Sequence, residues 1–215
     1  MGRASGASRA RYRSTPVTTF DVRLATPDDI SPMATSLARA FADDPVKLYL
    51  CGGADQVPVA KGEIFFKVFG KLQLRHGHVY TTPGCEGGAL WAPPGKWRVP
   101  MSQIVKATPS FLRMYGWRFF PNLGVLSTLE KAHPHEPHYY LEILGTDPAH
   151  QGRGIGSALM QPVLDRCDDE GVGAYLESSK AANVPFYARH GFEVMQEIAH
   201  KRNGPHQWLM WRDPR

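Results

Sequence analysis

Leu144-Gly145-Thr146-Asp147-Pro148-Ala149-His150-Gln151-Gly152-Arg153-Gly154-Ile155-Gly156-Ser157-Ala158 reads as the end of a strand, a short proline-containing loop and a glycine-rich turn that opens a helix. The first N–H groups of a helix have no intrahelical acceptor, and the helix dipole is positive at that end. Glycines in the turn let the backbone approach a ligand without side chains in the way. Together these features predict a pyrophosphate site made mostly of main chain. The spacing does not fit a P-loop, since no Gly-Lys-Ser/Thr follows. Nor does it fit the dinucleotide fingerprint, because Gly152, Gly154 and Gly156 alternate where that fingerprint needs a two-residue gap before its third glycine.

Working outward, His138 to Thr146 reads as the strand before the turn, Gly154 to Glu170 as the helix after it and Gly173 to Ser178 as the next strand. Asn183 to His190 reads as a short helix, with strands at Phe192 to His200 and Gln207 to Trp211. Pro162 falls inside the long helix, where a proline costs roughly 3 kcal/mol, so a kink or a later helix start is expected. Earlier in the chain, Phe20, Val22 and Leu24 alternate with Asp21 and Arg23 as in a strand. Thr26-Pro27-Asp28-Asp29 resembles a capping box ahead of a helix running through Ile30, Met33, Leu37 and Phe41, which stops near Asp44-Pro45. A second helix covers about Val57 to Arg75, with an apolar face of Ile64, Phe65, Val68, Phe69 and Leu72. Strands follow at about His78 to Thr82 and Gly88 to Ala92, then a helical region over roughly Met101 to Lys131 interrupted by Pro121. Its aromatics (Phe111, Tyr115, Trp117, Phe119, Phe120) suit core, or alternatively a pocket lining. A strand-helix-strand crossover beside hairpins predicts an α+β domain with a mixed sheet.

The run Gln151-Gly152-Arg153-Gly154-Ile155-Gly156 resembles motif A of the GNAT superfamily of N-acetyltransferases, and Asn183-Val184-Pro185-Phe186-Tyr187-Ala188-Arg189-His190-Gly191-Phe192 resembles its motif B. The likeness is close over about Tyr139 to Arg212. Within it, Leu176 to Phe192 and Trp208-Leu209-Met210-Trp211-Arg212 resemble the puromycin N-acetyltransferase branch. The resemblance implies a single three-layer domain over 19–215, with a mostly antiparallel twisted sheet flanked by helices. It also implies transfer of an acetyl group from acetyl-CoA to an amine, with a small-molecule amine favoured as partner. Leu144, Gly145 and Thr146 would meet the pantetheine arm. The turn Gln151, Gly152, Arg153, Gly154, Ile155, Gly156 and Ser157 would hold the pyrophosphate, and Asn183 and Tyr187 would reach the cofactor from the other side. The strands on either side of the arm would splay to admit the thioester.

An acceptor amine is protonated near neutral pH, its reference pKa being about 10.4, so it must lose a proton before it attacks. Tyr187 stands where the family places the general acid, with aromatic packing as the alternative. For the base, Glu177, Glu142 and no side chain at all remain open. Among other reaction classes, a non-catalytic CoA-binding module would use the same residues, and a metal-dependent hydrolase would need His133, His135 and His138 to converge. The prolines at 134 and 137 predict an extended stretch in which the histidines need not converge, so no metal is expected and His138 is assigned to lining or packing.

With 215 residues, 42% hydrophobic, the chain suits one domain, and no apolar run approaches the ~20 residues that span a bilayer. Arg3, Arg9, Arg11 and Arg13 supply most of the net charge of +5 and read as a disordered basic tail over 1–18. No basic stripe elsewhere supports nucleic-acid binding. Cys51, Cys85 and Cys167 form no C-x-x-C pair, which favours a reducing, cytoplasmic setting. Oligomeric state is not encoded in any of these features.

Overall fold

The sheet is built around the strand that leads into the glycine turn. In the computed structural model, which describes residues 20–53, 55–116, 124–200 and 204–215, the strands are β1 (Arg23–Leu24), β2 (Val79–Thr81), β3 (Gly87–Ala92), β4 (His138–Thr146), β5 (Gly173–Ser178), β6 (Glu193–Ala199) and β7 (His206–Arg212). They form one sheet in the order β1-β2-β3-β4-β5-β7-β6. Every adjacent pair is antiparallel except β4–β5. This is the mixed, mostly antiparallel α+β sheet that the crossover and hairpins predict. The arginine-rich start, Trp117, Phe119, Phe120 and Pro121 lie outside the described residues.

The helices are α1 (Ile30–Ala40), α2 (Pro45–Leu50), α3 (Val59–Leu74), α4 (Met101–Tyr115), α5 (Gly124–Ala132), α6 (Ile155–Glu170) and α7 (Val184–Arg189). One face of the sheet carries α6: Leu159, Met160, Val163, Leu164 and Cys167 pack on Trp91, Leu141, Leu176 and Met210. The other carries α1 and α3, where Met33, Leu37 and Phe66 meet Val79, Leu90 and Ile143. Farther along that face, Leu129 of α5 covers Tyr175 and Leu209. The capping box forms as read, Asp29 accepting from the Thr26 N–H at 2.7 Å.

Of the two outcomes expected at Pro162, a later helix start is not the one found: α6 runs from Ile155 to Glu170 with the proline inside it. Five buried apolar residues on both sides of that proline anchor the helix, and at roughly 1.5–3 kcal/mol each their burial exceeds the cost of one lost backbone bond. On α3 the deepest positions are Gly62, Phe66, Gly70 and Gln73 rather than the face drawn through Phe65, Phe69 and Leu72, which is half-buried. Two of these are glycines, and they let the α3 backbone approach α1: a Cβ at Gly62 would sit 3.0 Å from that of Ala38. Finally, the first helix already stops at Ala40, and Asp44-Pro45 starts a further one. The Asp44 side chain accepts from the Lys47 N–H at 2.9 Å and Pro45 takes the first turn, which gives α2.

Candidate active site

Strands β4 and β5 run side by side only from His138↔Gly173 to Leu141↔Leu176. Beyond that pair β4 continues to Thr146 against β3, while β5 continues to Ser178 against β7. The two strands therefore fork, as the resemblance implies. A bulge contributes: Leu90 pairs with Ile143 but Trp91 with Leu141, leaving Glu142 as the extra residue on β4. Such a bulge bends its strand and re-aims the following side chains.

Below the fork lies an open groove of about 520 Å³, lined by Leu144, Gly145, Thr146, Gln151, Gly152, Gly154, Ile155, Gly156 and Ser157 on one side and by Asn183 and Tyr187 on the other. Ten of these sequence-selected positions and Tyr187 thus meet at one cavity. Gly152 (φ 74°) and Gly154 (φ 93°) adopt left-handed conformations that turn the chain sharply into α6. Among the described residues, no N–H from Gln151 to Ser157 donates to another group of the chain. Their donors face the groove at the positive end of a 16-residue helix, which fits an anion such as a pyrophosphate. Arg153 does not line the groove; its guanidinium folds back onto the Ala149 carbonyl at 3.3 Å. Gln151 braces the strand end, donating to the Thr146 carbonyl at 3.0 Å. Gly145 is glycine because α1 presses on it: a Cβ there would lie 2.8 Å from Leu37 and 2.9 Å from Phe41.

Tyr187 is 9% exposed, its ring in the α6 core and its hydroxyl end at the groove. Burial, with the charge of Asp44, raises its pKa well above the usual phenol value, so it holds its proton at physiological pH. Asp44 itself lines the groove, linked across it to the Ser179 hydroxyl, while Lys180 reaches Asp43 at 2.6 Å.

The two candidate carboxylates occupy the first step of each arm of the fork, Glu142 after Leu141 and Glu177 after Leu176. Both project from the face opposite α6. Leu141 and Leu176 pack on that helix, whereas Glu142 takes a hydrogen bond from the buried Gln73 amide of α3 at 2.5 Å. Glu177 accepts from the hydroxyls of Tyr140 at 2.7 Å and Tyr175 at 3.1 Å. His133, between α5 and β4, places Nδ1 3.7 Å from Glu177 Oε1. Burial raises the pKa of Glu142 to about 8, the Gln73 hydrogen bond opposing and the charge of Glu177 adding to the shift.

The histidine stretch is partly drawn together. His133 and His138 do converge, their Nε2 atoms 3.0 Å apart, because α5 ends at Ala132 and drops His133 onto the sheet beside β4. His135 remains exposed. Among the described residues, no group of three or more His, Cys, Asp or Glu is arranged to hold a metal ion. Sequence reasoning missed Gln73, His133, Tyr140, Tyr175 and Ser179 as members of this region. Only a polar Gln73 on a buried helical face was a usable signal.

Comparison with known proteins now bears on these observations. A model of the acetyltransferase (GNAT) family matches residues 116–192. An uncharacterized N-acetyltransferase of Schizosaccharomyces pombe is 29% identical, the match covering 79% of this chain and 73% of that protein. A Corynebacterium glutamicum structure, described as histone acetyltransferase HPA2 and related acetyltransferase, superposes with a TM-score of 0.63 at 25% identity, over 92% of this chain and 98% of the other. Arylalkylamine N-acetyltransferase 2 from Aedes aegypti shares the fold with a TM-score of 0.65 at 13% identity, over 92% and 100% of the two chains. No helix among the described residues is long and apolar enough to cross a membrane. Turn, fork, fold and these likenesses together support the GNAT superfamily, and the chain is an acyl-CoA-dependent acetyltransferase.

Proposed function

We propose that this enzyme moves an acetyl group from acetyl-CoA to the amine of a small molecule, with Glu142 as proton acceptor and Tyr187 as proton donor. The observation that carries this reading is the fork itself. It leaves the β4 edge from Leu144 to Thr146 open beside the uncommitted amides of the turn, while Glu142 and Glu177 follow the last paired residues of the two strands outside the groove lining. Acetyl-CoA supplies an activated thioester. The amides of Gln151 to Ser157 bind its diphosphate, with Arg153 contributing backbone only. Leu144 and Thr146 offer β4 main-chain groups, freed by the fork, to the pantetheine arm, and Asn183 borders the other wall.

Glu142 is preferred over Glu177 as the base. Both oxygens of Glu177 already accept hydroxyl hydrogen bonds, whereas Glu142 has a single amide donor. A carboxylate with a pKa of about 8 is also matched to taking a proton near neutral pH. The amine then attacks, and a strand N–H near Leu144 stabilises the oxyanion. Tyr187, whose hydroxyl makes no hydrogen bond within the described residues, returns a proton to the departing thiolate.

A small acceptor is favoured because the face bearing the carboxylates is roofed. Gln73 is 2% exposed and the Glu177 side chain 9%, which leaves little room for a folded protein substrate. The likeness of 176–192 and 208–212 to the puromycin branch points the same way. The reading includes one domain over 19–215, and a cytoplasmic setting accords with three unpaired cysteines. Thiol release from acetyl-CoA with a panel of small amines and one of peptides tests it. Turnover of peptides alone would overturn the acceptor class, and saturable acetyl-CoA binding without any turnover would favour a non-catalytic module.

A further inference from the structure

Lys47 of α2 is a buried amine that the proposed transfer does not use. Its side chain is among the buried charged groups, 7% exposed, and its ammonium makes no hydrogen bond or ion pair with another described residue. Nζ lies instead against aromatic faces, 3.3 Å from the centre of the Phe65 ring, 4.4 Å from that of Phe66 and 5.5 Å from that of Phe41. Such faces attract a cation but replace only part of the water it has given up. Burial accordingly lowers the pKa to about 8, the charge of Asp44 opposing the shift. Near pH 7 about a tenth of such an amine is unprotonated, against well under about a thousandth for a lysine in water.

The fold keeps this amine beside the groove. Asp44 caps α2 and Lys47 follows three residues later, so the two project from one face of the helix. Asp44 lines the groove next to Phe41, and its charge acts both on Lys47 and on the Tyr187 hydroxyl. Phe41 in turn presses on β4, where a Cβ at Gly145 would lie 2.9 Å from its ring. One aromatic ring therefore stands between Nζ and the stretch of β4 that faces the pantetheine arm, and the four-carbon stem of a lysine is long enough to carry the amine past it. Lys180, also at the groove, is held differently, tied to Asp43 at 2.6 Å.

We propose that Lys47 is a self-acetylation site: with acetyl-CoA in the groove and no acceptor amine present, the enzyme transfers the acetyl group to its own Nζ. The unprotonated amine attacks the thioester carbonyl carbon, an N–C bond forms and the C–S bond breaks. Coenzyme A leaves as thiolate, and the proton shed by the nitrogen balances the one that the thiolate takes up. The products are N-acetyl-lysine and free thiol, with no reactant beyond acetyl-CoA. The modified side chain has no charge and so loses its attraction to the three rings beside the groove. The inference rests on acetyl-CoA occupying this groove, and it holds whichever group serves as base toward an external amine.

The test incubates the full chain with acetyl-CoA in the absence of any amine and maps acetylated peptides by mass spectrometry over time. Lys47 should be acetylated about tenfold faster than the exposed Lys61, Lys71 and Lys96, and excess free coenzyme A should suppress that advantage. Acetyl phosphate, which has no nucleotide to dock, should reverse the order and modify the exposed lysines first. Lys47→Arg keeps a cation among the rings and should lower incorporation by about one acetyl group per chain. Peptide mapping of the parent decides the matter should that variant fold poorly. Acetylation of Lys47 no faster than that of the exposed lysines, in a sample that binds acetyl-CoA and turns over a small amine, overturns the inference and leaves the proposed function in place. A folded chain that does not bind acetyl-CoA at all removes both.

Discussion

The two halves of the site are built from opposite materials. The turn from Gln151 to Ser157 works through backbone amides, contiguous in sequence, in a conformation set by two glycines and the start of one helix. The fork works through side chains brought together from α3, the end of α5, β4 and β5, up to 69 positions apart in the Gln73–Glu142 contact. On the proposed reading the first half binds and the second does chemistry. A backbone site tolerates almost any side chain provided its φ angles are kept, whereas a carboxylate site depends on every neighbour that sets its charge. Substitutions should therefore separate the halves cleanly, in KM for one and in the pH profile for the other.

The largest effect is expected at the turn. Gly154 sits at φ 93°, where a β-branched residue is a severe outlier, and its amide is among those that face the groove. Gly154→Val should raise KM for acetyl-CoA about 100-fold, equivalent to roughly 2.7 kcal/mol, while kcat at saturation changes by less than about threefold. Calorimetry of acetyl-CoA binding and steady-state kinetics measure both. An equal collapse of kcat would blur the division between binding and chemistry.

At the fork, Glu142→Gln should lower kcat/KM about 100-fold above pH 8 and leave KM for acetyl-CoA unchanged. In the parent enzyme kcat/KM should rise with pH to near 8, where Glu142 gives up its proton. In the variant that limb should vanish, leaving only the acceptor's own ionisation near ~10. The same group has a stability signature. Its folded pKa lies above the ordinary glutamate value of 4.5, so the native state binds the extra proton between about 4.5 and about 8. The stabilisation associated with that proton is fully present at low pH and is lost as pH rises through the folded value. Glu142→Gln should therefore match the parent near pH 4 and melt a few degrees higher near pH 9 by calorimetry. A parent and variant that track each other across this range would mean that Glu142 is not the buried, proton-holding group.

How much of this was legible beforehand follows from the same division. The turn could be read because its physics is local: alternating glycines, a helix start and a preceding strand lie within fifteen consecutive residues. That the sheet is mixed followed from the crossover beside the hairpins, whereas the order of the strands came only with the structure. The pairing of Glu142 with Glu177 could be suspected from two glutamates on neighbouring strands. The bulge that makes Glu142 the extra residue on β4 could not, since a bulge depends on register with β3. His133 was read as part of an extended run because Pro134 and Pro137 dominate its local signal. Its contact with Glu177 arises from where α5 deposits it on the sheet. Gln73 looked like one polar residue on a helix, and its meaning came only when the deeper face of α3 proved to be the one carrying Gly62 and Gly70.

Tyr187 belongs to both halves, since its ring is core and its hydroxyl meets the groove. Tyr187→Phe keeps the packing and removes only the donor, so a loss of about 10-fold in kcat with KM nearly constant is expected, and a thioester with a more acidic thiol should narrow the gap. The smallest effect is expected where the halves are tied together. Asp44 caps α2 with one oxygen and takes the Ser179 hydroxyl with the other, so a single carboxylate bridges α2 and the segment after β5 at the groove wall. One hydrogen bond of this kind contributes only a modest amount. Ser179→Ala should therefore raise KM for acetyl-CoA by about threefold and leave the pH profile in place. A shifted pH profile instead would show that the charge of Asp44 reaches the fork, and the two halves would then have to be treated as one electrostatic unit.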